Sequence, residues 1–296
     1  MRHRLGYLCP LVFVRLLFPA EANSSSPKQL DGSSNHEIVD QVPFELRDGH
    51  LIILKGALPG LDRKVNILID TGATTTFVNR ELARRVGLRT LPNMGIKSAA
   101  FGSPVKVERV VVRELQLGRR LITRSCLAAD LPWNDIDIVA GLDILRATSL
   151  TIDYEGSNLV FGARSRNEAS VVLEDAEGLL VVPSTIGGQT VRLAVDTGAH
   201  STVIYQKSAG GWGRQARGEK QVLLAHSGGR VPARQITVPD LRIGNRVISH
   251  PTVVILEAGS GKSRLDGFLA TVALGSKRIH FDFERKALSL DSSDSE

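Results

Sequence analysis

Two aspartates occur in nearly the same local sequence, 126 positions apart. Asp70 lies in ILIDTGATTTFV and Asp196 in LAVDTGAHSTVI. Each follows an apolar run that predicts a buried strand, and the Gly two residues later permits a tight turn. A lone Asp-Thr-Gly is a weak signal, because these are common turn residues. Two such sites in one context suggest two carboxylates brought together for chemistry.

A pair of close carboxylates is an acid–base device. Both cannot ionise at low cost, so they share a proton and titrate as a pair. The ionised member can take a proton from water while the protonated member donates to a carbonyl oxygen. This chemistry needs neither a metal nor a covalent intermediate, so the pattern predicts no cofactor.

The two aspartates belong to a longer internal repeat. Landmark residues of the first half recur in the second at a spacing of 126, which becomes 129 after one three-residue length change: Asp70 and Asp196, Gly102 and Gly228, Gly118 and Gly244, then Asp137 and Asp266, Asp153 and Asp282. We therefore predict two copies of one unit, residues 42–163 and 170–291, joined by RSRNEAS.

Composition predicts a folded and mostly β chain. The protein has 296 residues, of which 42% are hydrophobic and 23% charged, which argues against a disordered or fibrous chain. Short runs rich in Val, Ile and Leu alternate with Gly, Pro, Asn and Asp. One segment, NRELARRVGL, predicts a helix capped by Asn79 and stopped by Gly87, whereas its copy QKSAGGWGRQARG is too rich in Gly. The net charge of +6 is spread along the chain, so no nucleic-acid partner is predicted.

The first 22 residues have the features of an export signal: a basic start, an apolar run over residues 5–14, and Ala20 and Ala22 in an A-x-A spacing. Pro10 and Arg15 interrupt that run, which leaves a short anchor or a misassigned start as alternatives. We expect an exported protein, periplasmic or secreted, with tethering through the N-terminus as the alternative. Residues 23–41 are a polar linker or leader, and residues 292–296 form an acidic tail. Cys126 would be alone in the mature chain and is expected to be a buried small hydrophobe.

Both Asp-Thr-Gly sites resemble the active-site signature of aspartic peptidases, and the Ala after each Gly, with the compact repeat, resembles the retropepsin branch. The resemblance covers nearly all of the chain after Val42. It implies an all-β fold of two homologous retropepsin-like β-barrel lobes related by a pseudo-twofold axis, with the active site in the cleft between them. It also implies a monomeric aspartic endopeptidase that acts on polypeptides, with Asp70 and Asp196 as the catalytic pair.

Supporting residues follow from the same resemblance. The hydroxyls of Thr71 and Thr197 are expected to brace the two catalytic loops, which Gly72 and Gly198 complete. An apolar segment, residues 138–141, should underlie the first loop. Each lobe should also carry a flap, a hairpin that closes over substrate, with tips at these residues: Phe101, Gly102 and Ser103 in the first lobe, Ser227, Gly228 and Gly229 in the second.

The second copy departs from the pattern at two places. Ala270 occupies the position of Gly141, so the underlying segment is expected to sit differently in that lobe. His200 is either a surface histidine beside the cleft or a charge that modulates the pair. In both loops, Ala73 and Ala199 replace a Ser that would stabilise the carboxylate by hydrogen bonding, so we expect ionisation at higher pH and only a weakly acidic optimum.

Other interpretations fit less well. VVILEAGSGKS resembles a phosphate-binding loop, but Leu256 stands where that motif needs its first Gly, and the stretch contains the three-residue insertion. The seven His residues are scattered without a metal motif, and no G-x-S-x-G elbow occurs. The main alternative to an endopeptidase is a catalytically silent two-lobe module that binds peptides or a partner protein.

Overall fold

The computed structural model describes residues 39–97, 105–162, 170–210, 212, 217–226, 229–257 and 263–291. These residues form 23 strands, two short α-helices and two 3₁₀ turns. The expectation of a nearly all-β protein is confirmed. The predicted boundaries at residues 42–163 and 170–291 stay predictions, and the elements are given below with the bounds that the structure shows.

The first lobe contains ten strands and both α-helices. In chain order its elements are β1 Asp40–Arg47, β2 Leu51–Gly56, β3 Val65–Ile69, β4 Phe77–Asn79, α1 Arg80–Arg85, β5 Arg89–Lys97, β6 Val105–Leu117, β7 Arg120–Ala129, β8 Ile138–Ala140, α2 Leu142–Leu145, β9 Leu150–Asp153 and β10 Asn158–Phe161.

The second half of the chain contains the remaining strands and the 3₁₀ turns Gln206–Ser208 and Thr271–Leu274. Its strands are β11 Ser170–Val172, β12 Glu174–Ala176, β13 Leu179–Ile186, β14 Gln189–Asp196, β15 Val203–Tyr205, β16 Arg217–His226, β17 Gly229–Thr237, β18 Asp240–Ile243, β19 Arg246–Ser249, β20 Thr252–Leu256, β21 Gly267–Ala270, β22 Arg278–Asp282 and β23 Ala287–Leu290.

Helix α1 forms where the sequence predicts it. The Asn79 side chain accepts hydrogen bonds from the backbone N–H groups of Glu81 and Leu82, which satisfies two amides that the first turn leaves free. Leu82 is buried, so the helix also packs against the core. At the corresponding place the second lobe has the 3₁₀ turn Gln206–Ser208, which fits the Gly-rich sequence that follows it.

A central antiparallel sheet joins the two lobes. It is the first part of a 13-stranded sheet and runs in the order β11, β23, β22, β9, β10, β1, so three of these six strands come from each half of the chain. Across the β9–β22 boundary Thr151 pairs with His280, its own counterpart at the spacing of 129, and Thr151 Oγ1 lies 2.7 Å from His280 Nδ1. A residue that pairs with its own copy lies on the pseudo-twofold axis. The axis therefore passes through this pair.

The other aspartates that recur in the repeat accept equivalent hydrogen bonds in both lobes. Asp137 and Asp266 each accept a hydrogen bond from a backbone N–H of the strand that leads into Asp-Thr-Gly, at 2.8 and 2.7 Å. Asp153 and Asp282 each accept from the backbone N–H three residues later, at 2.8 and 2.9 Å. These carboxylates satisfy backbone amides in turns and strand ends. Their recurrence reflects the duplicated fold and not additional chemistry.

Buried aliphatic side chains from both lobes make up the core. Cys126 lies in it at 1% exposure, and burial raises the pKa of its thiol to about 12, so the thiol stays protonated and unreactive. None of the helices in the described ranges has the length and apolar character needed to cross a bilayer.

Candidate functional site

Asp70 follows β3 and Asp196 ends β14, two strands buried in the centre of their lobes. Strand β3 runs parallel to β8, and β14 runs parallel to β21, with Asp196 opposite Ala270. A strand with neighbours on both sides and both faces covered reads as a continuous apolar run, as ILI and LAV do before the two aspartates. Both carboxyls are 0% exposed.

Each aspartate is fixed by its own loop. Oδ1 of Asp70 accepts the Gly72 N–H at 2.8 Å, and Oδ1 of Asp196 accepts the Gly198 N–H at the same distance. Oδ2 of each is buried and accepts no hydrogen bond from the N–H groups and hydroxyls of the described residues. Because an unpaired buried polar atom is costly, these two oxygens mark where a reacting molecule would be bound.

The two loops interleave, which makes the carboxyls neighbours. A Cβ added to Gly72 would lie 2.6 Å from Asp196 Cγ, and one added to Gly198 would lie 3.3 Å from Asp70 Cγ. Each glycine therefore packs against the aspartate of the opposite lobe. The structure thus brings together the four loop residues and two aspartates that the sequence singled out.

Burial raises the pKa of both carboxyls, and their proximity couples the two pKa values. Burial raises the pKa of Asp70 well above its ordinary value, and the charge of Asp196 raises it further. Burial also raises the pKa of Asp196, while the Gly198 N–H and the adjacent Asp70 carboxyl oppose that shift. The two carboxyls therefore titrate as one coupled pair that holds a shared proton.

Thr71 and Thr197 cross-link the loops with a reciprocal set of hydrogen bonds. The Thr71 hydroxyl donates to the Val195 carbonyl at 2.7 Å and accepts the Thr197 N–H at 3.1 Å. The Thr197 hydroxyl donates to the Ile69 carbonyl at 2.9 Å and accepts the Thr71 N–H at 3.0 Å. All four bonds are buried and cross between the lobes. They hold the two aspartates in register.

Two threonines that the sequence analysis did not single out, Thr76 and Thr202, support the segments beneath the two catalytic loops. Thr76 Oγ1 donates to Asp143 Oδ1 at 2.7 Å and accepts the Gly141 N–H at 3.1 Å. In the second lobe Thr202 Oγ1 accepts the Ala270 N–H at 3.4 Å. The recurrence of Thr at the spacing of 126 was the available signal.

The lobes also differ where Ala270 replaces Gly141. A Cβ at Gly141 would lie 2.7 Å from the backbone carbon of Thr75, so the first lobe has no room for Ala there. In the second lobe Ala270 is accommodated at 0% exposure. The segment that contains Gly141 therefore approaches its catalytic loop more closely than the segment that contains Ala270 does, which is the expected difference between the lobes.

The predicted flap tips lie mostly outside the described residues. This applies to Phe101, Gly102, Ser103, Ser227 and Gly228. Gly229 is described: it begins β17, is exposed, and has a φ of 127° that favours glycine.

His200 lies on the surface beside the second catalytic loop. Its ring is exposed, and its centroid is 5.1 Å from that of His50 in the first lobe. It therefore sits at the interface of the lobes. Across the described parts of the chain, no group of three or more His, Cys, Asp or Glu is placed to hold a metal.

The loop glycines give a matched test of the geometry. We expect Gly72→Ala to reduce any hydrolytic activity by about 10²-fold or more, because its methyl would displace the Asp196 carboxyl, and small displacements of reacting groups cost that much. Gly198→Ala should be milder by about tenfold, since its Cβ would contact Asp70 Cγ at 3.3 Å and not 2.6 Å. Steady-state kinetics of the two variants checks this order. Equal losses would contradict it.

Comparison with known proteins agrees with this geometry. Residues 61–147 match a family model of gag-polyprotein aspartyl proteases, and residues 182–276 match the aspartyl protease family. Each match contains one of the two Asp-Thr-Gly sites. No curated protein sequence matches the chain.

Among solved structures, the aspartic proteinase from Irpex lacteus is similar with a TM-score of 0.57 and 14% identity, over 86% of this chain and 98% of that one. Basic 7S globulin from soybean has a TM-score of 0.49 and 14% identity, over 86% and 95%. The likeness to the Irpex lacteus proteinase confirms the fold predicted from the sequence. The aspartyl protease family matches in each half, together with this two-lobed β fold, support a pepsin- or retropepsin-like aspartic peptidase.

Proposed function

We propose that the protein is an aspartic endopeptidase that hydrolyses peptide bonds with water activated between Asp70 and Asp196. The observation that carries the proposal is the buried carboxyl pair at the lobe interface, locked by the four hydrogen bonds of Thr71 and Thr197. A module that only binds peptides needs neither the paired carboxyls nor their cost of burial.

The proposed reaction uses one proton shared by the pair. The ionised carboxyl of the pair takes a proton from water, and the resulting hydroxide attacks the carbonyl carbon of the peptide. The protonated carboxyl donates its proton to the carbonyl oxygen, which gives a neutral tetrahedral diol. The proton taken from water then passes to the leaving amine, the C–N bond breaks, and the carboxyl product returns a proton to the carboxylate that had donated one.

The proposal extends to the setting of the reaction. The substrate is a polypeptide, as the fold implies, and a single chain supplies both lobes, so we infer a monomer. Export is proposed from the N-terminal sequence, which lies outside the described residues.

A complex peptide mixture, incubated with the purified chain and analysed by mass spectrometry over about pH 3 to pH 8, tests the proposal. Hydrolysis needs one proton on the pair: activity is lost below the lower pKa, where both carboxyls are protonated, and above the higher pKa, where both are ionised. Because burial raises both pKa values, the active window moves upward from the ordinary carboxyl range of about 4. We expect a weakly acidic to neutral optimum.

The variant Ala73→Ser/Ala199→Ser checks the cause of that optimum. Hydroxyls that donate to the carboxylates favour the ionised form, so the acidic limb of the profile should move to lower pH. A wild-type optimum in strong acid would contradict the argument from burial. A folded chain that cuts nothing at any pH would instead favour the silent binding module.

A further inference from the structure

His50 presents an unusual nitrogen to the lobe interface. Its side chain lies just before β2 at 2% exposure, and Nδ1 is 3.0 Å from the carbonyl oxygen of Asp48. A carbonyl only accepts hydrogen bonds, so Nδ1 carries the proton and the neutral ring has its lone pair at Nε2. Nε2 is buried and has no hydrogen-bond partner among the residues that the structure describes. It is therefore a free ligand atom.

A second imidazole faces it from the other lobe. The ring centroids of His50 and His200 are 5.1 Å apart, with an angle of 87° between the ring planes. His200 is exposed, and its Nδ1 lies 3.0 Å from Ser201 Oγ. The pair stands beside the second catalytic loop, two residues after Gly198, and is open to solvent on the His200 side.

The pseudo-twofold axis shows that packing does not require these imidazoles. Thr74 is the counterpart of His200 at the spacing of 126. Gly178 precedes β13 as His50 precedes β2. On that side a Cβ at Gly178 would lie 3.2 Å from Thr74 Cγ2, so the equivalent interlobe contact is made by two small residues. The histidine pair is a feature of one side only.

The chemistry of the pair favours a metal cation over an anion. The Asp48 carbonyl accepts the Nδ1 proton of His50, so the Nε2 of this ring carries an unshared lone pair. A bare Nε2 lone pair repels an anion and binds a Lewis acid. Two imidazole nitrogens at about 2.0–2.1 Å from one tetrahedral ion place their ring centroids about 5 Å apart, which matches the observed separation.

We propose that His50 Nε2 and a ring nitrogen of His200 bind one divalent ion of the zinc class, with solvent completing its coordination. Imidazole ligands select Zn²⁺, Ni²⁺ or Cu²⁺ over Mg²⁺. The Asp48 carbonyl holds the tautomer that makes Nε2 a ligand, as metal-binding histidines require. The ion would tie the first lobe to the catalytic loop of the second. This site is separate from the aspartate pair and does not rest on the proposed function.

Titration of the purified chain with ZnCl₂ tests the site, with calorimetry for affinity and thermal denaturation for stability. We expect one saturable ion per chain at this site and a higher unfolding midpoint with zinc. His50→Gln and His200→Gln should each weaken the affinity by about tenfold or more. His250→Gln, which removes an exposed histidine elsewhere, should leave it unchanged. MgCl₂ should have no effect, because imidazole ligands do not select Mg²⁺.

Zinc binding by His200→Gln is the decisive measurement, because the exposed His200 side chain can be replaced without disturbing the core. Zinc affinity that is unchanged in His200→Gln overturns the proposal, whether or not His50→Gln folds. Absence of saturable binding to the wild-type chain overturns it as well. Neither measurement depends on hydrolysis, so the site and the proposed activity succeed or fail separately.

Discussion

Replacing either aspartate of the pair with Asn is expected to reduce kcat/KM for peptide hydrolysis by about 10²–10⁴-fold, the range that general acid–base groups contribute. Either change removes one of the two carboxyls that together serve as proton donor and base. Each variant also ends the sharing of one proton that the pair requires. Because the two carboxyls act as a unit, the double variant should be little worse than either single one.

The same variants should fold at least as well as the wild type at neutral pH. Both carboxyls have a raised pKa in the folded state, so their stabilising contribution is complete in acid and is lost as pH rises through those values. Asn carries no charge and avoids that loss. Circular dichroism and urea denaturation at two pH values check this, so that lost activity is not mistaken for unfolding.

An exposed aspartate provides the matched control. Asp62→Asn makes the same chemical change on the surface of the first lobe and should leave kcat/KM unchanged. Retention of near wild-type hydrolysis by Asp70→Asn or Asp196→Asn would show that the pair is not the catalyst. A wild-type chain that is folded but hydrolyses nothing would favour the alternative, a catalytically silent binding module.

The largest expected loss of stability follows from the interlobe threonines. Thr71→Val keeps the shape of the side chain but removes the donor to the Val195 carbonyl and the acceptor of the Thr197 N–H. Leaving such buried groups unpaired costs about 1–3 kcal/mol each, so we expect a decrease of about 2–4 kcal/mol in the free energy of unfolding. Urea denaturation measures it.

The pseudo-twofold symmetry sharpens that prediction. Thr197→Val breaks the symmetry-related bonds to the Ile69 carbonyl and the Thr71 N–H. It should therefore lower the free energy of unfolding by a similar amount. The double variant should cost less than the sum, because both changes disrupt one network. Thr252→Val, on an exposed strand position, should cost less than about 0.5 kcal/mol. A loss of that small size in Thr71→Val would show that the bonds do not hold the lobes together.

Much of the fold was predictable because its signals are local or internal to the sequence. Apolar runs of strand length identified β3 and β14, and Asn79 identified the start of α1 through its capping side chain. The fixed spacing of the repeat showed that the two Asp-Thr-Gly loops are equivalent. Equivalence of two loops leads directly to a pair of carboxyls, because homologous lobes that pack about a twofold axis bring equivalent strand ends together.

The sequence by itself therefore determined the duplication, the strand and turn around each aspartate, and the identity of the six loop residues. Only the tertiary structure decided which atoms meet between the lobes: the Thr71 and Thr197 hydroxyls with the opposite strands, and His50 with His200. The partners in these contacts lie more than a hundred positions apart in the chain, on surfaces that pack only when both lobes have folded. Their contact depends on how the lobes dock, and no local pattern of residues encodes that arrangement.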